Sequence, residues 1–151
     1  MNGYYYLVNT LKDYLKATNV INSVTIGDIF KVDLNKQTIF PLSHIIVNNA
    51  QLAENTTSLN VSILFMDIVD ESKAEITDIW DGNDNEQDVL NTQLALASRL
   101  TSALIRGSLF TSLVQVISAP NAEPFTDRFE NKVAGWTLTF DVMIPNDMTI
   151  C

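Results

Sequence analysis

Apolar and polar residues alternate near the end of the chain, from Trp136 to Ile144. Every second position is apolar and the positions between them are mostly polar, as in a strand with one buried face. A polar turn, Glu130–Lys132, and a stretch with two phenylalanines, Phe125 and Phe129, precede this strand. The segment from Pro124 to Pro145 is therefore predicted to form a strand–turn–strand unit that closes the fold.

Two other stretches follow the helical period. The first is predicted to be a helix of about 15 residues that ends near Thr18, because its apolar positions recur three and four residues apart. The second is predicted to begin after a cap at Asn83 or Asp84 and to end at Gly107. The apolar stripe of the first helix is Tyr4, Leu7, Val8, Leu11, Tyr14 and Leu15, and that of the second is Leu90, Leu94, Ala97, Leu100, Thr101, Leu104 and Ile105.

Four further apolar runs predict strands. Val24–Asp33 and Thr38–Val47 are separated by a polar turn, Leu34–Gln37, and this pattern indicates a hairpin. Leu59–Val69 and Leu113–Ser118 are the other two. Because most strands are joined by short turns, the chain is predicted to be an α+β protein. Its sheet is expected to be largely antiparallel, with two helices packed on one face.

The length of 151 residues indicates a single domain over residues 1–151. Its core is expected where the second helix crosses the closing hairpin. Leu94 and Leu104 lie on one predicted helical stripe, and Trp136 and Phe140 lie on one predicted strand face. These four side chains are therefore expected to meet.

Charge is concentrated in one window of the chain. The net charge is −9, and the segment Asp67–Asp88 holds nine acidic residues against one basic residue. Such a window cannot be buried unpaired, so we expect it to leave the globular body and to contact another chain or face a channel. The scattered lysines and arginines argue against a grip on nucleic acid. The interface candidates are Glu71, Glu75, Asp78, Ile79 and Trp80 in this segment, with Tyr5 and Tyr6 on the first helix.

Candidate catalytic chemistry is sparse. His44 is the single histidine, and the single thiol is Cys151 at the terminus, so no nucleophile–base pair is predicted. Asp81, Asn83 and Asn85 match the first positions of a calcium loop, but Glu86 and Thr92 break the pattern at its turn and at its bidentate ligand. No glycine-rich phosphate loop and no apolar run long enough for a membrane span occur. The sequence predicts no catalytic site, no metal and no cofactor.

Two passages, Val32–Ala50 and Pro124–Asn146, are similar to phage structural proteins of unassigned role. The length of the chain and the predicted order of its elements resemble the tail terminator (tail-completion, neck-ring) proteins of tailed bacteriophages. This resemblance implies a virion structural protein that is assembled in the host bacterial cytoplasm. It implies a homo-oligomeric ring of six subunits, or a multiple of six, between the head connector and the tail tube. DNA would only pass through the lumen, and no membrane would be involved. The resemblance identifies no functional residue.

Two other functional classes remain open from the residues alone. A small-molecule or peptide-binding α+β domain without catalysis would hold its ligand between helices and sheet. An enzyme that uses Asp and Glu with a metal would gather its acidic residues around a bound ion. Oligomeric state separates the ring from the first class.

Overall fold

The computed structural model describes residues 3–27, 40–69, 86–106, 115–128 and 132–145. Within these ranges the chain forms two helices and six strands, and the predicted α+β class is confirmed. No helix in these ranges is long and apolar enough to cross a membrane. In chain order the elements are α1 (Gly3–Lys16), β1 (Ser23–Ile26), β2 (Leu42–Leu52), β3 (Thr56–Ile68), α2 (Glu86–Arg106), β4 (Gln115–Val116), β5 (Asn121–Arg128) and β6 (Lys132–Pro145).

The six strands form one sheet in the order β1-β2-β3-β6-β4, and β5 also pairs with β6. β3 and β6 run antiparallel side by side, from Thr56 opposite Pro145 to Ile68 opposite Val133. β5 and β6 are antiparallel as well, which confirms the predicted closing strand pair. The turn between them, residues 129–131, lies outside the described ranges.

The predicted hairpin of Val24–Asp33 with Thr38–Val47 is wrong. β1 and β2 are paired in parallel, with Ser23 opposite Leu42 and Ile26 opposite Ile45. The carbonyl oxygen of Pro41 accepts hydrogen bonds from the backbone N–H groups of Asn22 and Ser23, at 2.9 and 3.2 Å, so both strands start at the same end. A parallel pair needs a crossover connection instead of a tight turn. The connecting residues 28–39, which include the predicted turn, lie outside the described ranges.

The main core lies between the two helices and one face of the sheet. Phe65 opposite Trp136, Ile63 opposite Leu138 and Val61 opposite Phe140 show that alternate residues of β3 and β6 share this face. Both helices therefore pack on one face, as predicted. The largest fully buried side chains of this core are Leu7, Leu11, Leu15, Ile45, Ile63, Phe65, Leu100, Leu104, Phe140 and Ile144.

The buried stripe of α2 differs from the predicted one. Leu104 and Phe140 belong to one core cluster, as expected, but Leu94 is 40% exposed. Trp136 instead meets the helix near its start, where the indole Nε1–H donates to the carbonyl oxygen of Leu90 at 2.8 Å. The pattern missed the rotation because the buried stripe includes a polar residue, Gln93. Its buried members are Val89, Gln93, Leu96, Ala97, Leu100, Ala103 and Leu104.

The opposite face of the sheet is divided into an apolar half and a polar half. At one end, Phe40, Leu42, Met66 and Val133 form a second buried cluster. Towards the other end, the same face carries asparagine, serine and threonine side chains from three strands and is partly open. The face without helices therefore presents polar groups next to an apolar cluster.

Gly135 stands between these two regions of β6, opposite Met66. A Cβ atom at this position would collide with the backbone carbonyl oxygen of Phe65. Only glycine allows the two backbones to approach this closely. The close contact fixes the spacing of β3 and β6, the two strands that carry most of the core.

Candidate functional site

Hydrogen-bonded polar side chains cross the face of the sheet that carries no helix. The side-chain amide of Asn48 donates to Asn60 Oδ1 and to Ser62 Oγ, both at 2.8 Å. Asn60 Nδ2 donates to Asp141 Oδ1 at 2.9 Å, and the hydroxyls of Ser62 and Thr139 lie 3.1 Å apart. We call these five residues the polar ladder. Mutual hydrogen bonds hold their side chains in fixed positions, so the surface they form is preorganised.

A β-bulge in β2 places the first member of the ladder. Val47 pairs with Val61 but Asn49 pairs with Asn60, so Asn48 is an extra residue on its strand. The extra residue puts Asn48 and Asn49 at the same side of the sheet. It also reverses the facing of the residues that follow, so Leu52 lies on the side of the helices, opposite Thr57.

His44 is fully buried and serves as a structural connection between β2 and β1. Its Nε2 lies 2.7 Å from the carbonyl oxygen of Gly27, and its Nδ1 lies 2.6 Å from the hydroxyl of Thr25. A carbonyl oxygen can only accept, so Nε2 carries the hydrogen and Nδ1 accepts from Thr25 in the neutral ring. These contacts give His44 a structural role in the body of the protein.

Asp67 lies near the end of β3, opposite Ala134, so the acidic run of the sequence begins inside the sheet. Burial raises the pKa of this carboxyl group, and the hydrogen bond that Oδ1 accepts from the backbone N–H of Ile68, at 2.8 Å, opposes the rise. The expectation that the whole segment leaves the body is therefore wrong at both described ends, because residues 67–69 lie in and directly after β3 and residues 86–88 belong to α2. Asp88, at the other end, is exposed on α2.

An open groove of about 460 Å³ lies between the last turn of α2 and the strand β4 at one border of the sheet. Its size falls in the range of about 300–1,000 Å³ that is usual for ligand clefts. The backbone of its wall is held in the sheet, because the N–H of Ile117 donates to the carbonyl oxygen of Asp141 at 3.0 Å. We call it the β4 groove, and its lining residues are Leu104, Ile105, Gln115, Val116, Ile117, Ser118 and Ala119.

Large aliphatic side chains are exposed at two opposite borders of the sheet. Ile105 and Ile117, in the β4 groove, are 47% and 54% exposed. On the other side, Ile26 of β1 is 41% exposed and Leu52, near the turn between β2 and β3, is 75% exposed. All residues from 48 to 55 are exposed, so this hairpin tip projects from the body. Ile105 and Ile117 lie together in the β4 groove, and clustered exposed aliphatic residues are typical of contact surfaces.

The interface candidates from the sequence divide into two groups. Tyr5 is exposed, and its ring stands edge-on to that of Tyr4 with centroids 5.9 Å apart. Tyr6 is half-buried and packs against the main core, so it offers less free surface than Tyr5. The candidates Glu71, Glu75, Asp78, Ile79 and Trp80, like the calcium-like residues Asp81–Asn85 and Cys151, lie outside the described ranges.

Within the described ranges no group of three or more His, Cys, Asp or Glu side chains is placed to hold a metal ion. Searches against protein-family models and curated protein sequences find no match to the chain. A function for this chain is therefore proposed from the chemistry of the surfaces described above.

Sequence reasoning missed the polar ladder and the β4 groove. The sequence contained one signal for the ladder, because the alternation in β3 and β6 places polar residues at every second position of each strand. These positions include Asn60 and Ser62 in β3, and Thr139 and Asp141 in β6. Their alignment across strands follows from the pairing register, which no local pattern contains. The exposure of Ile105 was missed because its spacing placed it on the predicted buried stripe.

Proposed function

We propose that this chain is a structural protein of a bacteriophage virion that works by self-association into a ring. The ring lies at the head–tail junction or at the tail end and joins the connector to the tail tube, and DNA passes through its lumen. Six subunits, or a multiple of six, form it. In this proposal the protein has no catalytic activity and needs no cofactor. The resemblance between the predicted order of elements and that of tail terminator proteins motivates this assignment.

One structural observation carries the proposal: exposed aliphatic side chains lie at opposite borders of the sheet, Ile26 and Leu52 at one and Ile105 and Ile117 at the other. A two-fold dimer would need one patch that matches itself. Different exposed aliphatic residues on opposite sides favour head-to-tail contacts, which close into rings when the rotation between subunits permits.

The test is the arrangement of copies in assembled particles, since the free chain can stay monomeric until it meets a connector or a tube. We expect like neighbours around an axis. Isolated copies without like neighbours would disprove the ring. Ile117→Ser is expected to reduce incorporation into particles, whereas Leu94→Ser, which removes a similarly exposed residue from the outer side of α2, is expected to leave it unchanged.

A peptide-binding domain without catalysis is the second candidate, because the β4 groove combines a sheet border with a wall of both aliphatic and polar residues. An extended peptide could add a strand at such a border. A chain that remains monomeric at every concentration, is absent from particles and binds a peptide in this groove would favour that function over the ring.

A further inference from the structure

We propose that the β4 groove of one subunit receives the β2–β3 hairpin tip of a second copy of this chain, with Leu52 as the anchor. This inference rests on the proposed ring and names the contact that would build it. Leu52 is the most exposed large apolar side chain in the described ranges, and it projects from a tip in which every residue is exposed.

The groove has walls that fit such an anchor. Ile105 and Ile117 are about half exposed, and Leu104 is buried beside them. A leucine side chain that enters this space would remove the aliphatic surfaces of Ile105 and Ile117 from water together with its own. Leu52 is held in position, because β2 runs to this residue and pairs it with Thr57 of β3.

Charge at the two surfaces is complementary. The only ionisable residue from position 45 to position 66 is Glu54, at the hairpin tip. Arg106 follows Ile105 directly, is exposed, and ends α2 next to the groove. A carboxylate and a guanidinium at the rim of a contact orient the partners and raise the rate of encounter. Because the acidic tip and the basic groove rim belong to the same chain, their charges favour a second copy as the partner.

The position of the two surfaces agrees with a head-to-tail contact. The hairpin tip belongs to β2 and β3, whereas the groove lies at β4, at the far end of the strand order. Along the strands both are at the same end, since Leu52 is opposite Thr57, Thr57 is opposite Ile144, and Gln115 is opposite Met143. One copy can therefore present its tip sideways to the groove of the next.

Disulfide trapping tests the contact in the full chain. Cys151→Ser removes the native thiol, and two further variants then carry Ala53→Cys in one chain and Ala119→Cys in the other, so that the anchor Leu52 is kept. On mixing under mild oxidation, we expect the Ala53→Cys and Ala119→Cys chains to form a covalent heterodimer. Ala95→Cys replaces Ala53→Cys in the matched control, because Ala95 is also an exposed alanine. A heterodimer that forms no faster than the control would overturn the proposal.

Charge reversal supplies a second readout. Glu54→Arg or Arg106→Glu alone should slow trapping by roughly twofold to fivefold, the effect of an exposed ion pair, and the two changes in opposite partners should restore it. Failure of the restoring pair would overturn the role given to these charges.

The outcomes separate this contact from the ring itself. In assembled particles, Leu52→Asp should lower incorporation roughly tenfold or more, as expected for a lost leucine anchor, while Leu94→Asp should not. Normal rings formed by the Leu52→Asp variant would agree with the proposed ring but would refute the contact through Leu52. Selective trapping, together with particles in which copies of this chain have no neighbouring copies, would support the contact and refute the ring.

Discussion

Replacing Phe140 by alanine tests the central packing of the fold. Phe140 is 2% exposed, lies opposite Val61 on β3, and belongs to the same cluster as Leu104 of α2. Removing its ring leaves a cavity between sheet and helix. β6 is paired with β3 along nearly its whole length, so the backbone cannot move in to fill the space. We expect a loss of about 3–5 kcal/mol, a large part of the 5–15 kcal/mol that is usual for a domain.

Urea unfolding followed by circular dichroism measures this loss. With a slope of about 2 kcal/mol per molar urea, the midpoint should fall by roughly 1.5–2.5 M. Leu94→Ala is the matched control, since Leu94 is 40% exposed on the same helix that covers Phe140, and it should cost less than about 1 kcal/mol.

The opposite result has a defined meaning. A loss below about 1 kcal/mol for Phe140→Ala would place the ring at the surface and reverse the facing of β6. If the alanine variant does not fold, Phe140→Leu keeps the test open, with an expected loss of roughly 1–2 kcal/mol. A leucine variant as stable as the parent chain would contradict the packing equally.

Four other substitutions test separate features by thermal or urea unfolding. Gly135→Ala should cost more than about 2 kcal/mol because its methyl group meets the backbone of β3, and an unchanged stability would refute that close approach. His44→Ala should cost about 1–3 kcal/mol, since the fully buried ring and its hydrogen bonds to Thr25 and to the carbonyl oxygen of Gly27 are lost; a neutral effect would contradict the connection between β1 and β2. Gln93→Leu should stabilise by roughly 1 kcal/mol, because the nitrogen and the oxygen of its buried side-chain amide have no hydrogen-bond partner among the described residues; a loss of stability would show that the amide has a partner. Burial raises the pKa of Asp67, so the folded chain binds the proton more tightly than the unfolded chain. Stability therefore falls as the pH rises from the ordinary aspartate pKa of 3.8 through the raised pKa of the folded chain. Asp67→Asn should therefore raise the melting temperature at pH 7, with the gain shrinking below the ordinary aspartate pKa of 3.8, and an equal gain at every pH would exclude this cause.

The core and the elements around it were largely predictable from the sequence. Alternation from Trp136 to Ile144 predicted β6, and the spacing of Leu7, Leu11 and Leu15 predicted the buried side of α1. The same local patterns suggested polar positions in β3 and β6, but not that these would align into a ladder. The projecting Leu52 and the β4 groove had no signal of their own, because exposure depends on what lies nearby in space.

Period and polarity along the chain by themselves determined the α+β class, the closing strand pair and the face that the helices cover. Only the tertiary structure decided the parallel direction of β1 and β2, because two apolar runs separated by a polar segment have the same pattern in a parallel and in an antiparallel pair. The carbonyl oxygen of Pro41 accepts hydrogen bonds from the N–H groups of Asn22 and Ser23, and these bonds bring the starts of the two strands together. The tertiary structure also decided the rotation of α2 about its axis, since the buried side of this helix includes Gln93 and leaves Leu94 partly exposed to solvent. Local patterns report which residues can be buried, whereas strand direction, register and helix rotation are set by partners distant in sequence.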